Sequence, residues 1–337
     1  MAMRLRRSDP GGPGISRRRR GRGFEYRDVA GRPVRDAATL ERIHALVLPP
    51  AWREVWICPW PNGHIQAIGV DAAGRRQYRY HDLWRQRRDR DKHDRVLGLA
   101  ECLPAVRTRL DATLSGRGLT RDRVLACAVR LLDLGFFRVG GEEYTHAHGT
   151  FGLATIRREH VRVRSDSVIF EYAAKGNLDR VQSIVDPAVL AVVRALLRRR
   201  DPAPELLAWW SPRTRGWSDV RSGHVNDYVR EITGGQYTAK AFRTWHATVL
   251  MAVALAVSTR PASARARARA VARGYQEVAH YLGNTPAVAR AAYVDPRVVD
   301  LYHDGVTIAA DLDALGTDSG PATHGPVEAA VLAMLRD

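Results

Sequence analysis

Lysine is almost missing from this chain. Of its 53 basic residues only Lys92, Lys175 and Lys240 are lysines; the other fifty are arginines. A bias that strong would have replaced any lysine needed only for its positive charge. Arginine stays protonated at any useful pH, whereas a lysine can be tuned to give and take a proton. The three survivors are therefore candidates for proton chemistry. Cysteine is scarce as well. Cys58, Cys102 and Cys127 are odd in number and far apart, so they offer neither a disulfide framework nor a zinc knuckle, and they suit a reducing cytoplasm. Long apolar runs are absent: the longest, 249–257, is too short to span a bilayer. The Arg-rich start of the chain has no apolar segment of the kind that marks secretion. A secreted disulfide scaffold and a membrane protein are thereby set aside, and a cytoplasmic protein is expected.

What is present is charge. The chain has 337 residues, enough for two domains, and a formal net charge of +17. The excess is spread along the chain, which points to a polyanionic partner, nucleic acid being the commonest.

The pattern along the chain is α+β. Residues 1–23, with the run Arg17-Arg18-Arg19-Arg20, lack apolar periodicity and are expected to be a disordered basic tail. Residues 24–102 are expected to form a small β-rich module in which a short helix over 37–48 precedes the strands. Its strands over 55–58, 64–70 and 76–80 are separated by Pro-Asn-Gly and Ala-Ala-Gly turns, and a charged helical stretch over 83–99 follows. Residues 103–313 read as mostly helical, with helices over 103–114, 120–134, 187–199, 222–230, 239–257 and 262–282. They carry a small β-insertion with strands over 152–156, 160–164 and 168–173. Asp186-Pro187 and Asn284-Thr285-Pro286 have the cap-then-proline chemistry of helix starts. A Gly/Thr/Ser/Pro-rich linker and a terminal helix complete the chain over 314–337.

One ordered set of residues carries chemistry: Arg138, Lys175, Lys240, Arg243, Asn284 and Tyr293. Arg138 ends an apolar helix just before Gly140-Gly141. Lys175 sits in a Lys-Gly-Asn turn, the tip of a hairpin. Lys240 and Arg243 are one helical turn apart and share a face. Each has a structural alternative. Arg138 could cap a helix end, Lys175 could be an ordinary turn residue, and Tyr293 could be a core aromatic. His146-Ala147-His148 is a decoy: two histidines without a third ligand at suitable spacing are weak evidence for a metal, and they read as part of a loop near the active site.

As an ordered set these residues resemble the active site of type IB topoisomerases, in particular the compact bacterial and poxvirus-like enzymes. The resemblance covers about residues 25–305. Pro59-Trp60-Pro61-Asn62-Gly63-His64, continuing to Arg79-Tyr80-His81, is similar to the N-terminal DNA clamp of that family. Phe137-Arg138-Val139-Gly140 is similar to the first arginine block and Ala174-Lys175-Gly176-Asn177 to the hairpin lysine. Lys240-Ala241-Phe242-Arg243-Thr244 is similar to the second arginine block, and Gly283-Asn284-Thr285-Pro286 with Tyr293 to the nucleophile block. The resemblance implies a helical catalytic domain of the tyrosine recombinase and topoisomerase IB kind behind a β-rich clamp. Tyr293 would attack a phosphodiester and attach to the 3′-phosphate, leaving a 5′-hydroxyl that later reseals the strand. Arg138 and Arg243 would grip non-bridging oxygens, with Asn284 as a further donor. Viral relatives carry histidine at the place of Asn284, and asparagine donates a hydrogen bond but holds no proton charge. Lys175 would protonate the departing 5′-oxygen, a role arginine cannot fill. Lys240 would either contact a neighbouring phosphate or orient Arg243, and a purely structural role stays open.

On the clamp, Arg75, Arg76, Gln77, Tyr78, Arg79 and Tyr80 read as a DNA-binding surface. Tyr78 and Tyr80 share one strand face and Gln77 and Arg79 the other, and which of the two meets the duplex stays open. The expectation is a monomer on double-stranded DNA, in the cytoplasm with the nucleoid, that needs no cofactor, metal or ATP. Its DNA affinity should fall steeply with salt. Two other readings compete: a tyrosine recombinase, against which the β-rich start argues, and a non-catalytic DNA-binding protein, against which the complete residue set argues.

Overall fold

The computed structural model describes residues 3–142, 145, 147, 149–258, 263–309 and 323–336. The chain divides into two compact units, Met1–Lys92 and His93–Asp337.

In the first unit, five antiparallel strands form one sheet in the order β2-β1-β3-β4-β5. They are β1 (Ile15–Arg20), β2 (Gly23–Arg27), β3 (Arg53–Ile57), β4 (Ile65–Val70) and β5 (Arg76–Tyr80). Helix α1 (Ala37–Ala45) starts at Asp36, whose carboxylate accepts from the Thr39 amide at 2.8 Å. Ile43 joins Ile15, Val55, Ile57 and Ala67 in a small apolar core. The expected disorder over 1–23 is corrected here, because the arginine run is strand β1. Alternation explains how it folds: Ile15 is buried, and Arg17 donates to the carbonyls of Leu48, Pro49 and Trp52 while its guanidinium stacks 4.2 Å from the Phe24 ring. A half-buried arginine with several carbonyl partners behaves as a structural residue that composition alone classes with a solvated tail.

One helix, α2 (Asp82–Leu114), replaces the two separate helices expected over 83–99 and 103–114. Pro104 lies inside it without ending it. Leu97, Leu103, Val106 and Leu110, at helical spacing on either side, are all buried, so packing outweighs the one backbone bond a proline removes. The division between the two units and the break expected at 102/103 both fall within this helix.

The second unit is mostly helical. Helix α3 (Arg121–Gly135) is capped by Thr120 and buried along most of its length. A three-stranded antiparallel sheet, β6 (Val161–Val163), β7 (Val168–Ala174) and β8 (Leu178–Ile184), follows. Residues 153–155, expected as part of a strand, instead form a short 3₁₀ turn. Its cause is a close backbone approach: Leu153 and Ala154 donate to the carbonyls of Arg138 and Val139, each at 2.8 Å. The chain continues through α4 (Pro187–Leu197), the hairpin β9 (Ala208–Ser211) with β10 (Gly216–Asp219), and α5 (Ser222–Thr233). The hairpin escaped the sequence reading, its short strands pairing Trp210 with Trp217. Helices α6 (Ala239–Ala256), α7 (Ala264–Leu282), α8 (Pro286–Ala292), α9 (Pro296–Asp304) and α10 (Pro326–Arg336) complete the unit. Among the described residues, no helix is long and apolar enough to cross a membrane.

Candidate active site

Helix α3 ends at Phe136, which takes left-handed angles (φ 55°, ψ 24°) without being glycine. Packing holds it there. The Phe136 ring meets His246 edge-on at 5.3 Å, and Phe137 is buried against Phe170 and Tyr172. The next residues run close to a neighbouring loop. A Cβ on Gly140 would stand 2.9 Å from the Gly152 Cα, and Gly140 has φ 82°, so only glycine serves at this crossing. This contact, with the two backbone bonds from residues 153 and 154, fixes the segment that carries Arg138.

Lys175 stands at the tip of the β7–β8 hairpin. Ala174 pairs with Leu178, leaving a three-residue turn in which Gly176 and Asn177 both have positive φ. The hairpin is tied down behind the tip. The Tyr172 hydroxyl donates to Gln182 at 2.9 Å, and Gln182 donates to the carbonyl of Gly135 at the end of α3. Arg180, on the same hairpin, donates to the carbonyls of His280 at 3.0 Å and Tyr281 at 2.7 Å.

Helix α7 ends with Gly283 in the left-handed region (φ 60°, ψ 51°), and the Asn284 amide bonds back to the Ala279 carbonyl at 2.9 Å. Asn284 is thereby turned toward Arg138, which donates both to its side-chain oxygen and to the Gly283 carbonyl at 2.8 Å. The Asn284 Nδ2 is buried and has no hydrogen-bond partner among the described residues, so it is a donor in reserve. Thr285 then caps α8, and Tyr293 ends it. Two residues after Tyr293, the Asp295 amide bonds to Thr248 at 3.1 Å, anchoring this segment on α6.

Lys240 and Arg243 lie on the first turns of α6. Arg243 is only 3% exposed. It donates to the carbonyls of Phe136 and, at 2.8 Å, Leu282. Its guanidinium carbon lies 5.3 Å from the centre of the Tyr293 ring, and the Lys240 ammonium lies 5.8 Å from it. Burial and then the charge of Arg138 pull Arg243 down to about 10, against the opposing pull of Tyr293, so it stays charged at neutral pH. For Tyr293 burial would push the phenol up. The charge and hydrogen bonding of Arg243, with the charges of Arg138 and Lys240, outweigh burial and hold it below its ordinary value.

Arg138, Lys175, Lys240, Arg243 and Tyr293, which span more than 150 residues of sequence, therefore line a single cleft of about 250 Å³. Asn284 stands behind Arg138 and is not among the lining residues. None of the described lining residues is a carboxylate or a histidine. The set can stabilise an anion, ionise a phenol and shuttle a proton from an amine. His146 and His148 lie outside the described residues. Arg180 was missed by the sequence reading; one arginine among fifty carries no signal, and only its place five residues after Lys175 on the hairpin could have drawn notice.

In the first unit, Arg76–Tyr80 is the edge strand β5. Tyr78 and Tyr80 are exposed and stack with ring centres 6.0 Å apart. On the opposite face Gln77 donates to Asp71 at 2.9 Å and Arg79 to the Val47 carbonyl at 3.2 Å. Arg75 pairs with Asp71 in the preceding turn, also at 2.9 Å. The Asp71 carboxyl, held by the Arg75 amide and, against desolvation, by the Arg75 side chain and Gln77, falls to about 2.

The chain is 25% identical over 295 residues to "DNA topoisomerase 1B" of Acanthamoeba polyphaga mimivirus, covering 86% of this chain and 88% of that protein. It is 20% identical over 239 residues to "DNA topoisomerase 1B" of Vaccinia virus (strain Copenhagen), covering 70% and 72%. "DNA topoisomerase 1" of Mycosarcoma maydis is 22% identical over 235 residues, 61% of this chain but only 22% of that much longer protein. The family model for the bacterial DNA topoisomerase IB N-terminal domain matches residues 23–71. The model for the catalytic core of eukaryotic DNA topoisomerase I matches residues 81–307, well over half of the chain, and the chain belongs to the type IB DNA topoisomerase family.

Proposed function

We propose that this enzyme relaxes supercoiled duplex DNA by cutting one strand through a 3′-phosphotyrosine on Tyr293 and resealing it, without ATP and without a metal in the reaction. The observation that carries this reading is the convergence of Arg138, Lys175, Arg243 and Tyr293 on one cleft. In the cleavage step the Tyr293 phenol loses its proton to water and its oxygen attacks phosphorus, while the bond to the 5′-oxygen breaks. Lys175 gives that oxygen its proton. Resealing is the reverse: the 5′-hydroxyl attacks, its proton returns to Lys175, and Tyr293 leaves. The phosphotyrosine conserves the energy of the broken linkage, so no nucleotide is consumed.

The extra negative charge on the five-coordinate phosphorus is met by the guanidiniums of Arg138 and Arg243 and the spare Asn284 amide. Lys240, 5.8 Å from the Tyr293 ring, favours the phenolate and a phosphate beside it. The first unit grips the duplex through the exposed face of β5, with Arg76, Tyr78 and Tyr80. Gln77 and Arg79 are engaged within the protein, and Arg75 joins the grip if it exchanges Asp71 for a phosphate. The enzyme works as a monomer, since one chain supplies the whole reactive set.

The test is plasmid relaxation in EDTA without ATP, comparing the wild type with Tyr293→Phe and quenching with SDS. Relaxation of both supercoil signs by the wild type alone, with protein trapped on a 3′ end, is expected. Failure of both proteins to relax DNA that they still bind would replace the reading with a purely architectural one.

A further inference from the structure

We propose that Asp133, His246 and His324 form a structural site for a divalent transition ion of the zinc class, which fastens the C-terminal segment to the helices that position Arg138 and Arg243. Asp133 lies on α3, five residues before Arg138, and His246 lies on α6, one turn after Arg243. His324 lies two residues before the start of α10, beyond the residues matched by the catalytic-core family model.

The three ligand atoms lie within 4.8 Å of one another. Asp133 Oδ1 is 3.5 Å from His246 Nε2 and 3.4 Å from His324 Nε2. A charge-assisted hydrogen bond would be shorter, about 2.7–2.9 Å. The edge of a tetrahedron with metal–ligand bonds of about 2.0 Å is about 3.3 Å, close to what is seen. His324 Nε2 also stands 3.2 Å from the Asp133 carbonyl.

His246 supplies the independent observation. It is fully buried, and neither ring nitrogen has a hydrogen-bond partner among the described residues. An unprotonated imidazole has one N–H and one lone pair, and here both are buried without a hydrogen-bond partner among the described residues. A lone pair in that setting calls for a donor or a cation. Asp133 is the anionic ligand.

Around the triad the structure has the supporting contacts of a metal centre. Arg107 donates to both Asp133 oxygens at 2.8 and 3.0 Å and to Glu328 at 2.5 and 3.1 Å, and Trp245 donates to Glu328 at 2.7 Å. Two carboxylates against one guanidinium leave one negative charge for a cation. Two imidazoles and a carboxylate suit zinc better than calcium or magnesium, which take oxygen ligands. The His324 side chain is 12% exposed, so it is the edge of the triad nearest solvent. The ion would take no part in strand transfer. It would hold α10 against α3 and α6.

The experiment uses the full chain without an affinity tag, stripped with a chelator and then given Zn²⁺ or Co²⁺ alone. One equivalent of bound metal, the visible absorption of low-symmetry Co²⁺, and a thermal midpoint that rises with added Zn²⁺ are expected. His324→Ala should lose all three responses, and His246→Asn should do the same if it folds. The wild-type cobalt spectrum and metal count need no variant. Failure to bind stoichiometric metal at tenfold excess, with an unmoved midpoint, would overturn the proposal and leave the triad a hydrogen-bonded network. Metal binding that survives His324→Ala would overturn it too, by placing the ion elsewhere.

Discussion

Replacing Arg243 with glutamine tests the electrostatics of the cleft most directly. The substitution keeps a polar side chain on α6 but removes the charge and most of the donors. Arg243 serves two ends at once: its guanidinium carbon sits 5.3 Å from the Tyr293 ring, and it bonds to the carbonyls of Phe136 and Leu282. Loss of one donor aimed at a developing oxyanion typically slows a reaction by about 10²–10³, or about 2.7–4 kcal/mol. The same change lets burial act on the Tyr293 phenol with less opposition, so its pKa moves up and less phenolate forms near neutrality. The two effects add, and cleavage near pH 7 should slow by at least about 10³. Because the second effect is a titration, part of the loss should be recovered as pH rises. The assay is single-turnover formation of the SDS-trapped covalent complex across a pH series. Arg243→Gln also loses carbonyl bonds from a charged donor, about 1.5–3 kcal/mol each, partly offset by relief from burying the charge, so a melting curve must accompany the rates. A folded variant that cleaves within tenfold of the wild type would refute the placement of Arg243 at the reacting phosphate. An equal deficit at every pH would refute its action on Tyr293.

Lys175→Ala should slow cleavage of an ordinary strand by about 10²–10⁴, the usual range for loss of a general acid. A strand whose 5′-oxygen is replaced by sulfur should be cleaved nearly as fast by the variant as by the wild type, because a thiolate leaves without protonation; Lys175→Arg should fail on the oxygen strand as alanine does. Arg180→Ala should loosen the hairpin from the end of α7 and reduce the single-turnover cleavage rate about tenfold, with noncovalent DNA affinity little changed in a gel-shift titration. Arg107→Ala strips the partner from Asp133 and Glu328, both nearly buried, and should cost about 3–5 kcal/mol in urea unfolding, with a midpoint near that of the wild type as the refuting result.

The sequence disclosed these parts unevenly, and the reasons are physical. Lys175 stood out because the arginine bias removed the background against which a lysine would be lost. Thr285-Pro286 was readable as a helix start because cap chemistry is local, and the structure has Thr285 accepting from the Val288 amide at 3.3 Å. Strand β5 showed its two faces through alternation alone. Contacts formed between distant segments were not readable. The Gly140–Gly152 crossing turned an expected strand into a 3₁₀ turn, and no periodicity in residues 152–156 reports a neighbour twelve residues away. Arg17 and Arg180 were hidden by the abundance that exposed Lys175. His246 and His324 lie 78 positions apart on segments with no shared motif, and only the fold brings both to Asp133.

The cleft gathers positive charge in a space where like charges repel, and the end of α7 explains how it does so before any phosphate arrives. Four consecutive carbonyls at that end receive guanidinium donors: His280 and Tyr281 from Arg180, Leu282 from Arg243, and Gly283 from Arg138. The last carbonyls of a helix have no partners within it and together carry about half a negative charge. They thus stand where an anion otherwise would, offsetting repulsion among the three arginines and fixing their orientation. A guanidinium has five N–H donors, so those bound to carbonyls hold the fork in place while the rest stay available for phosphate. The left-handed turn at Gly283 makes this possible, since it ends the helix with its carbonyls facing the arginines and sends the chain on to Asn284 and Tyr293. One helix terminus in this way orients Arg138, Arg180 and Arg243 and leads the chain on to Tyr293, which in the proposed reaction is the preorganisation that transition-state stabilisation requires.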